Sequence, residues 1–182
     1  RIAVAVGSRG LADLPLVVSV VVDELKRRGA QPFIVPSMGS HGGATAEGQQ
    51  ALLAALGVTE ASAGCPIVSS METVELGKLP NGLPVYMDKQ SMLSDGIVVI
   101  NRVKPHTSFS GASESGLVKM LSIGLGKQRG AESCHAAGMG QMAQNIVDVA
   151  RVKLAKAPVL FGVATLENAS EKISRVAAAP AE

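Results

Sequence analysis

A chain of 182 residues, 47% of them hydrophobic, is long enough to bury a proper core, and on length alone it reads as one domain spanning residues 1–182. Aromatic residues make up only 2%, so that core must be built from Val, Leu, Ile, Ala and Met, the usual filling of an α/β layer structure. A net charge of +2, with no basic stripe and no interleaved aromatics, argues against nucleic acid as a partner. The most apolar stretch, LPLVVSVVV, is closed by Asp13 on one side and Asp23-Glu24 on the other, far short of the roughly 20 residues a membrane span needs.

IAVAV (2–6) is a continuous apolar run ending in GSRG, with Asp13 and Pro15 as start signals for a helix over 16–28 that stops at Gly29. PFIVP (32–36) is the next strand, and Thr45 caps a helix, AEGQQALLAALG, ending at Gly57, with Glu47 in its first turn suiting the helix dipole. Residues 66–87, PIVSS, ETVELG and LPVYMD around the turn LPNG, predict a strand pair laid across an edge. A brief helix over 89–94 precedes GIVVIN (96–101), the strongest buried-strand signal. A helix over 131–155 and a final strand PVLFGVATL (158–166) follow, and the Ala-rich tail is expected to be loose. Strand runs that are unbroken rather than alternating in polarity, separated by helices, predict an α/β fold with a mostly parallel, Rossmann-like sheet covered on both faces, plus a short antiparallel strand pair.

Cys65 and Cys134 form no spacing motif and are expected to be buried or idle thiols in a reducing cytoplasm; no signal peptide is visible. The chain opens on Arg1 directly into a strand, which reads as a piece of a longer, two-domain protein.

In such sheets ligands collect outside the carboxyl ends of the strands. GSRG follows the first strand, SMGSHGGAT the second and NRVKPHTSFSG the GIVVIN strand, so three loops are expected to converge on one crevice. All three histidines, His41, His106 and His135, sit beside glycines and small hydroxyl residues where backbone can approach a ligand. A lone loop histidine is more often a surface hydrogen-bonder, yet imidazole is also the side chain best poised to exchange protons at neutral pH and the commonest metal ligand. Lys119, within SGLVKMLSIGL, must reach solvent along its stem, find an anion such as Glu114, or lose its proton and become a reactive amine. GLGKQRG (124–130) fails both the P-loop and the dinucleotide patterns. Its backbone amides, with Lys127, Arg129 and the following helix start, are a candidate seat for a single phosphate, and a plain turn with solvated charges is the alternative.

The order of these residues resembles the nickel-pincer nucleotide enzymes, the lactate racemase family, over most of the chain. SMGSHGGAT looks like that family's glycine-X-His turn, with His41 in the place of one catalytic histidine. KPHTSFSGASESGLVKMLSIGLGKQRGAESCH resembles the stretch with the other catalytic histidine (His106), the lysine that tethers the cofactor (Lys119) and the histidine that ligates nickel (His135), 16 residues beyond Lys119. The resemblance implies racemisation or epimerisation of a small-molecule 2-hydroxy acid, with hydride transfer to a pyridinium group on nickel and two histidines as acid and base. The nickel-pincer nucleotide would be covalent on Lys119. It also implies cofactor-maturation enzymes as partners and leaves a homo-oligomer open. Where the family has an Asp and an Arg after the first strand, Ser8 takes roughly the acidic position and Arg9 is shifted; Arg9 is a weak candidate for clamping a carboxylate. The family's second, C-terminal domain has no counterpart in these residues.

Two readings from other classes remain at this stage. A zinc hydrolase with His41, His106 and His135 as ligands explains the histidines and leaves Lys119 idle. A non-catalytic nucleotide-binding or assembly module retains the fold and a pocket alone.

Overall fold

In the computed structural model, which describes residues 1–8, 10–105, 110–111, 113–136 and 138–181, the first apolar run forms strand β1 (Ile2–Val6) and PFIVP forms β2 (Pro32–Pro36). The two pair in parallel, and β1 pairs on its other side in parallel with β5 (Gly96–Arg102), which pairs in parallel with β6 (Val159–Glu167). The last strand, β7 (Ile173–Pro180), runs antiparallel to β6 and completes the order β2-β1-β5-β6-β7. The mostly parallel sheet and the separate antiparallel pair β3 (Thr73–Lys78) and β4 (Pro84–Asp88) agree with the fold class read from the strand patterns.

Successive strand residues face opposite sides, and both sides are apolar. On one face Val4, Val6, Ile34, Val98, Ile100 and Val163 pack under helix α1 (Leu14–Arg27) and helix α2 (Ala46–Ala55), through Leu14, Val18, Val22 and Leu25 of α1 and Leu53 of α2. On the other, Ala3, Ala5, Val35, Ile97 and Val99 meet Met120 and Leu121 and the final helix's Ala150. Short helices α3 (Glu60–Ala63) and α4 (Lys89–Met92) connect the layers, each closed at its start by a side chain: Thr59 accepts from Ser62 N, and Asp88 from Ser91 N. No helix among the described residues is long and apolar enough to cross a membrane.

The structure departs from expectation in five places. α1 starts at Leu14, with Pro15 in its first turn where its missing N–H costs nothing; Asp13 precedes it in a left-handed conformation and its side chain makes no capping bond. PIVSS is no strand: only Ile67 bridges Ile34, and the pair β3–β4 forms its own sheet, sealed by Leu79, Leu83 and Val85 against Cys134, Met142 and Ile146. SGLVKMLS, to which the sequence pattern assigns no element, contains helix α5 (Leu117–Ser122). The helix expected over 131–155 is two, α6 (Lys127–Ala136) and α7 (Met139–Lys156). They are parted at Gly138, whose φ of 83° leaves the helical region at no steric cost. The Ala-rich tail is not loose, because its small side chains let β7 lie flat along the otherwise open edge of β6.

Candidate active site

The order of the strands places the switch of chain direction between β1 and β5: from β1 the chain goes out to β2 on one side and returns to β5 on the other. Loops at the carboxyl ends of such neighbours splay apart and leave a crevice. A cavity of about 250 Å³ lies there, lined by Ser8 after β1, His41 after β2, Asn101 and Arg102 at the end of β5, Lys119 of α5 and His135 of α6. Three of the residues singled out in the sequence therefore share one wall system: His41, Lys119 and His135. His106 and Arg9 lie outside the described residues.

The His41 loop is built by close backbone approach. Gly42 and Gly48 touch so tightly that a Cβ on Gly48 would stand 1.9 Å from the Gly42 carbonyl oxygen, which explains two glycines around a histidine. Thr45 caps α2 by accepting from Gly48 N at 3.0 Å, as the sequence predicts. From beneath, the fully buried Gln49 donates to Gly39 O at 2.8 Å and His41 O at 3.2 Å. At the surface, Ser8 Oγ lies 2.6 Å from His41 Nδ1, which orients the ring.

Lys119 sits half-buried on α5, whose two ends are pinned. Asn101 Nδ2 donates to Gly116 O at 2.7 Å at the start of the helix, and Lys153 Nζ donates to Leu121 O and Ser122 O at 2.8 and 2.9 Å at its end. After α5 the chain turns through Gly124, where a side chain would strike the Ser37 carbonyl at 2.7 Å; only glycine lets this turn press against the end of β2. The turn delivers α6, and in its last turn His135 Nδ1 is 2.7 Å from Ala131 O. A carbonyl only accepts, so Nδ1 carries a proton, and in the neutral ring Nε2 is then the nitrogen with the lone pair that ligates metal. Among the described residues no group of three or more His, Cys, Asp or Glu side chains gathers to hold a metal ion. His135 would therefore offer a single nitrogen to a metal whose remaining ligands come from elsewhere, and an amine on the same cavity wall suits a tethered organic group.

Of the GLGKQRG segment, Lys127 and Arg129 do not line this cavity. Lys127 begins α6 with φ 53° and is fully buried. Its Nζ donates to Pro36 O and to Gln49 Oε1 (3.3 Å), and lies 3.5 Å from Asp88 Oδ2. Burial holds its pKa below the usual lysine value, and Asp88 opposes that only in part. Lys127 thus braces, through Gln49, the loop that carries His41. Two positions on, roughly 200° around the helix, Arg129 points outward: its guanidinium stacks 4.2 Å over the Tyr86 ring, and Nη2 donates to the Tyr86 hydroxyl at 3.2 Å. It borders a separate, shallower depression between β4 and α6.

Asn101, Arg102, Gln49 and Lys153 escaped the sequence reading. The signal for the first two was present: the abrupt change from GIVVI to NR at the ligand end of the best strand. Gln49 and Lys153 look like ordinary helix-surface residues, and nothing local marks them as buried.

Fold and cavity together define a doubly wound α/β domain with its ligand crevice at the strand switch, carrying a histidine-lysine-histidine set. The profile of the lactate racemase N-terminal domain matches residues 7–146, and the chain belongs to that family. Among solved structures, the lactate racemase apoprotein from Thermoanaerobacterium thermosaccharolyticum superposes with a TM-score of 0.71 at 19% sequence identity. The match covers 100% of this chain and 46% of that one, so the chain spans less than half the length of this relative. No curated protein matches the chain.

Proposed function

We propose that this chain forms the catalytic domain of a 2-hydroxy-acid racemase or epimerase of the lactate racemase type, active in the full-length protein. One observation carries the reading: His41, Lys119 and His135, far apart in sequence, line a single cavity at the carboxyl ends of β1, β2 and β5. Inverting a carbon that bears a hydroxyl and a carboxylate by way of a keto acid requires removing hydride from it and a proton from the hydroxyl, and returning both. His41, which Ser8 contacts at Nδ1, would take that hydroxyl proton at Nε2 and give it back. His106 is assigned the same task toward the opposite enantiomer, so that each histidine is base in one direction and acid in the other. The Lys119 amine would hold a nickel-pincer nucleotide as a thioamide, and His135 Nε2 would supply a nitrogen to its metal. When bound, that group supplies the acceptor for the substrate hydrogen as hydride. Holding acceptor and acid/base groups on one rigid wall removes the entropy of bringing them together, an effect worth up to roughly 7–11 kcal/mol in favourable cases.

The test is intact mass and metal content of the full-length protein co-expressed with cofactor-maturation enzymes, alongside equilibration of single enantiomers of short 2-hydroxy acids. The expected result is nickel, a covalent adduct and enantiomer exchange, with adduct and exchange both lost in Lys119→Ala while the melting temperature holds. Zinc without adduct, or an adduct that survives Lys119→Ala, overturns the assignment.

A further inference from the structure

Arg102 is the last residue of β5 and forms part of the cavity wall with His41, Lys119 and His135. The charged residues bordering that cavity are Arg102, Lys104 and Lys119, with no carboxylate among the described lining. Arg102 is also held in an uncommon way. Its Nη1 pairs with Glu167 at the end of the adjacent strand β6, and the other Glu167 oxygen accepts Ala12 N at 2.8 Å, in the segment between β1 and α1. Side-chain exposures of 20% for Arg102 and 7% for Glu167 make this a largely buried pair that ties the ends of β5 and β6 to the segment before α1.

Engaging Nη1 leaves the side of the guanidinium where Nε and Nη2 point the same way. Nε is buried and has no hydrogen-bond partner among the described residues. Native structures rarely leave such a donor without an acceptor, and at a cavity wall the missing acceptor can come from a ligand. Two parallel N–H groups match two oxygens of one planar or tetrahedral oxyanion. We infer that Arg102, aimed by Glu167, is the seat for an oxyanion in this cavity, the carboxylate of the substrate or a phosphate group, with Lys104 adding charge beside it. This assigns anion recognition to the end of β5, beside Arg9, the weak candidate after β1 that the resemblance implies. It rests on the proposed function only in the choice of hydroxy acid as a ligand.

The experiment titrates cofactor-free full-length protein calorimetrically with lactate, with its neutral amide and with inorganic phosphate, in wild type, Arg102→Gln, Arg102→Lys and Glu167→Gln. Wild type should favour lactate over the amide about tenfold. Arg102→Gln should erase that preference, and Arg102→Lys, which keeps the charge and the fold but loses the fork, should retain about a third of it. Glu167→Gln should fall between. A parallel loss for phosphate identifies a seat for either oxyanion, loss for lactate alone a carboxylate seat, and loss for phosphate alone a phosphate seat. Unchanged affinities for both anions in both Arg102 variants, or a wild type indifferent to charge, overturn the inference. Racemisation by the loaded enzyme is scored separately: exchange that persists with Arg102-independent binding sinks the seat and spares the function, whereas Arg102-dependent binding without exchange does the reverse.

Discussion

Lys153 carries an amine into the layer beneath α5, where it is fully buried and its Nζ donates to two carbonyls at the end of the helix that bears Lys119. Burial pushes its pKa down to about 7, with Cys134 and Asp88 opposing the shift. In the unfolded chain the amine keeps its proton to about pH 10.4. Below pH 7 both states are protonated, and the cost of burying the charge is fully present. Above pH 7 the folded state releases the proton and the unfolded state does not, so stability rises with pH by up to about 1.4 kcal/mol per unit. Near pH 8.5 the thiols of Cys65 and Cys134, both pushed up by burial, start to ionise in the unfolded chain alone and act the other way. Denaturant titrations at pH 6.5, 7.5 and 8.5 should therefore show wild type gaining stability relative to Lys153→Met, by about 1–2 kcal/mol across the range; a constant difference would contradict the buried charge. At this scale sequence legibility was uneven for a physical reason. Lys119 stood out for its apolar flanks and Lys127 for its glycine-rich segment, while Lys153, with Arg151 and Lys156 beside it, looks like an ordinary helix-surface charge. What makes Lys127 and Lys153 internal is the carbonyls of Pro36, Leu121 and Ser122, which belong to distant parts of the chain.

Elements that announce themselves by caps or unbroken apolar runs were legible: β1, β2, β5, and α2 behind its Thr45 cap all stand where their residues predict. α5 was not, because a helix of six residues shows too little periodicity to be told from loop. The α6–α7 break was hidden too, since one glycine within a helical pattern is ordinarily tolerated. The start of α2 illustrates how an element positions the site. Its first turn abuts Gly42 through Gly48, and a Cβ there would have to displace backbone. Gly48→Ala should lower stability by about 2 kcal/mol or more in a thermal melt. It should also shift the backbone amide resonances of residues 39–43 while leaving those of β6 in place. A variant with unchanged melt and spectrum would show that the loop is not held by this contact.

Across the whole molecule, the sheet is closed on the β6 side only by β7, an exposed strand with Val176 at 53% exposure and a row of alanines. Removing residues 169–182 would strip β6 of its partner and leave a long unpaired edge next to the Arg102–Glu167 pair. The truncated chain should melt about 10 °C lower, corresponding to several kcal/mol for a domain of this size, and scatter light at concentrations where the intact chain does not. A truncation that melts normally and remains monodisperse would mean that β7 merely rests on the edge.

The amino-acid sequence by itself determined the layer architecture, through apolar runs too continuous for a half-exposed sheet, and it marked His41, Lys119 and His135, because glycine and apolar surroundings make polar side chains conspicuous. Only the tertiary structure decided which cations serve the cavity and which serve the interior. Lys127 turned inward, Arg129 turned to Tyr86 and Arg102 came to the wall, since burial and partnership of a charge depend on where distant backbone carbonyls and carboxylates arrive, and strand order, not local pattern, sets that.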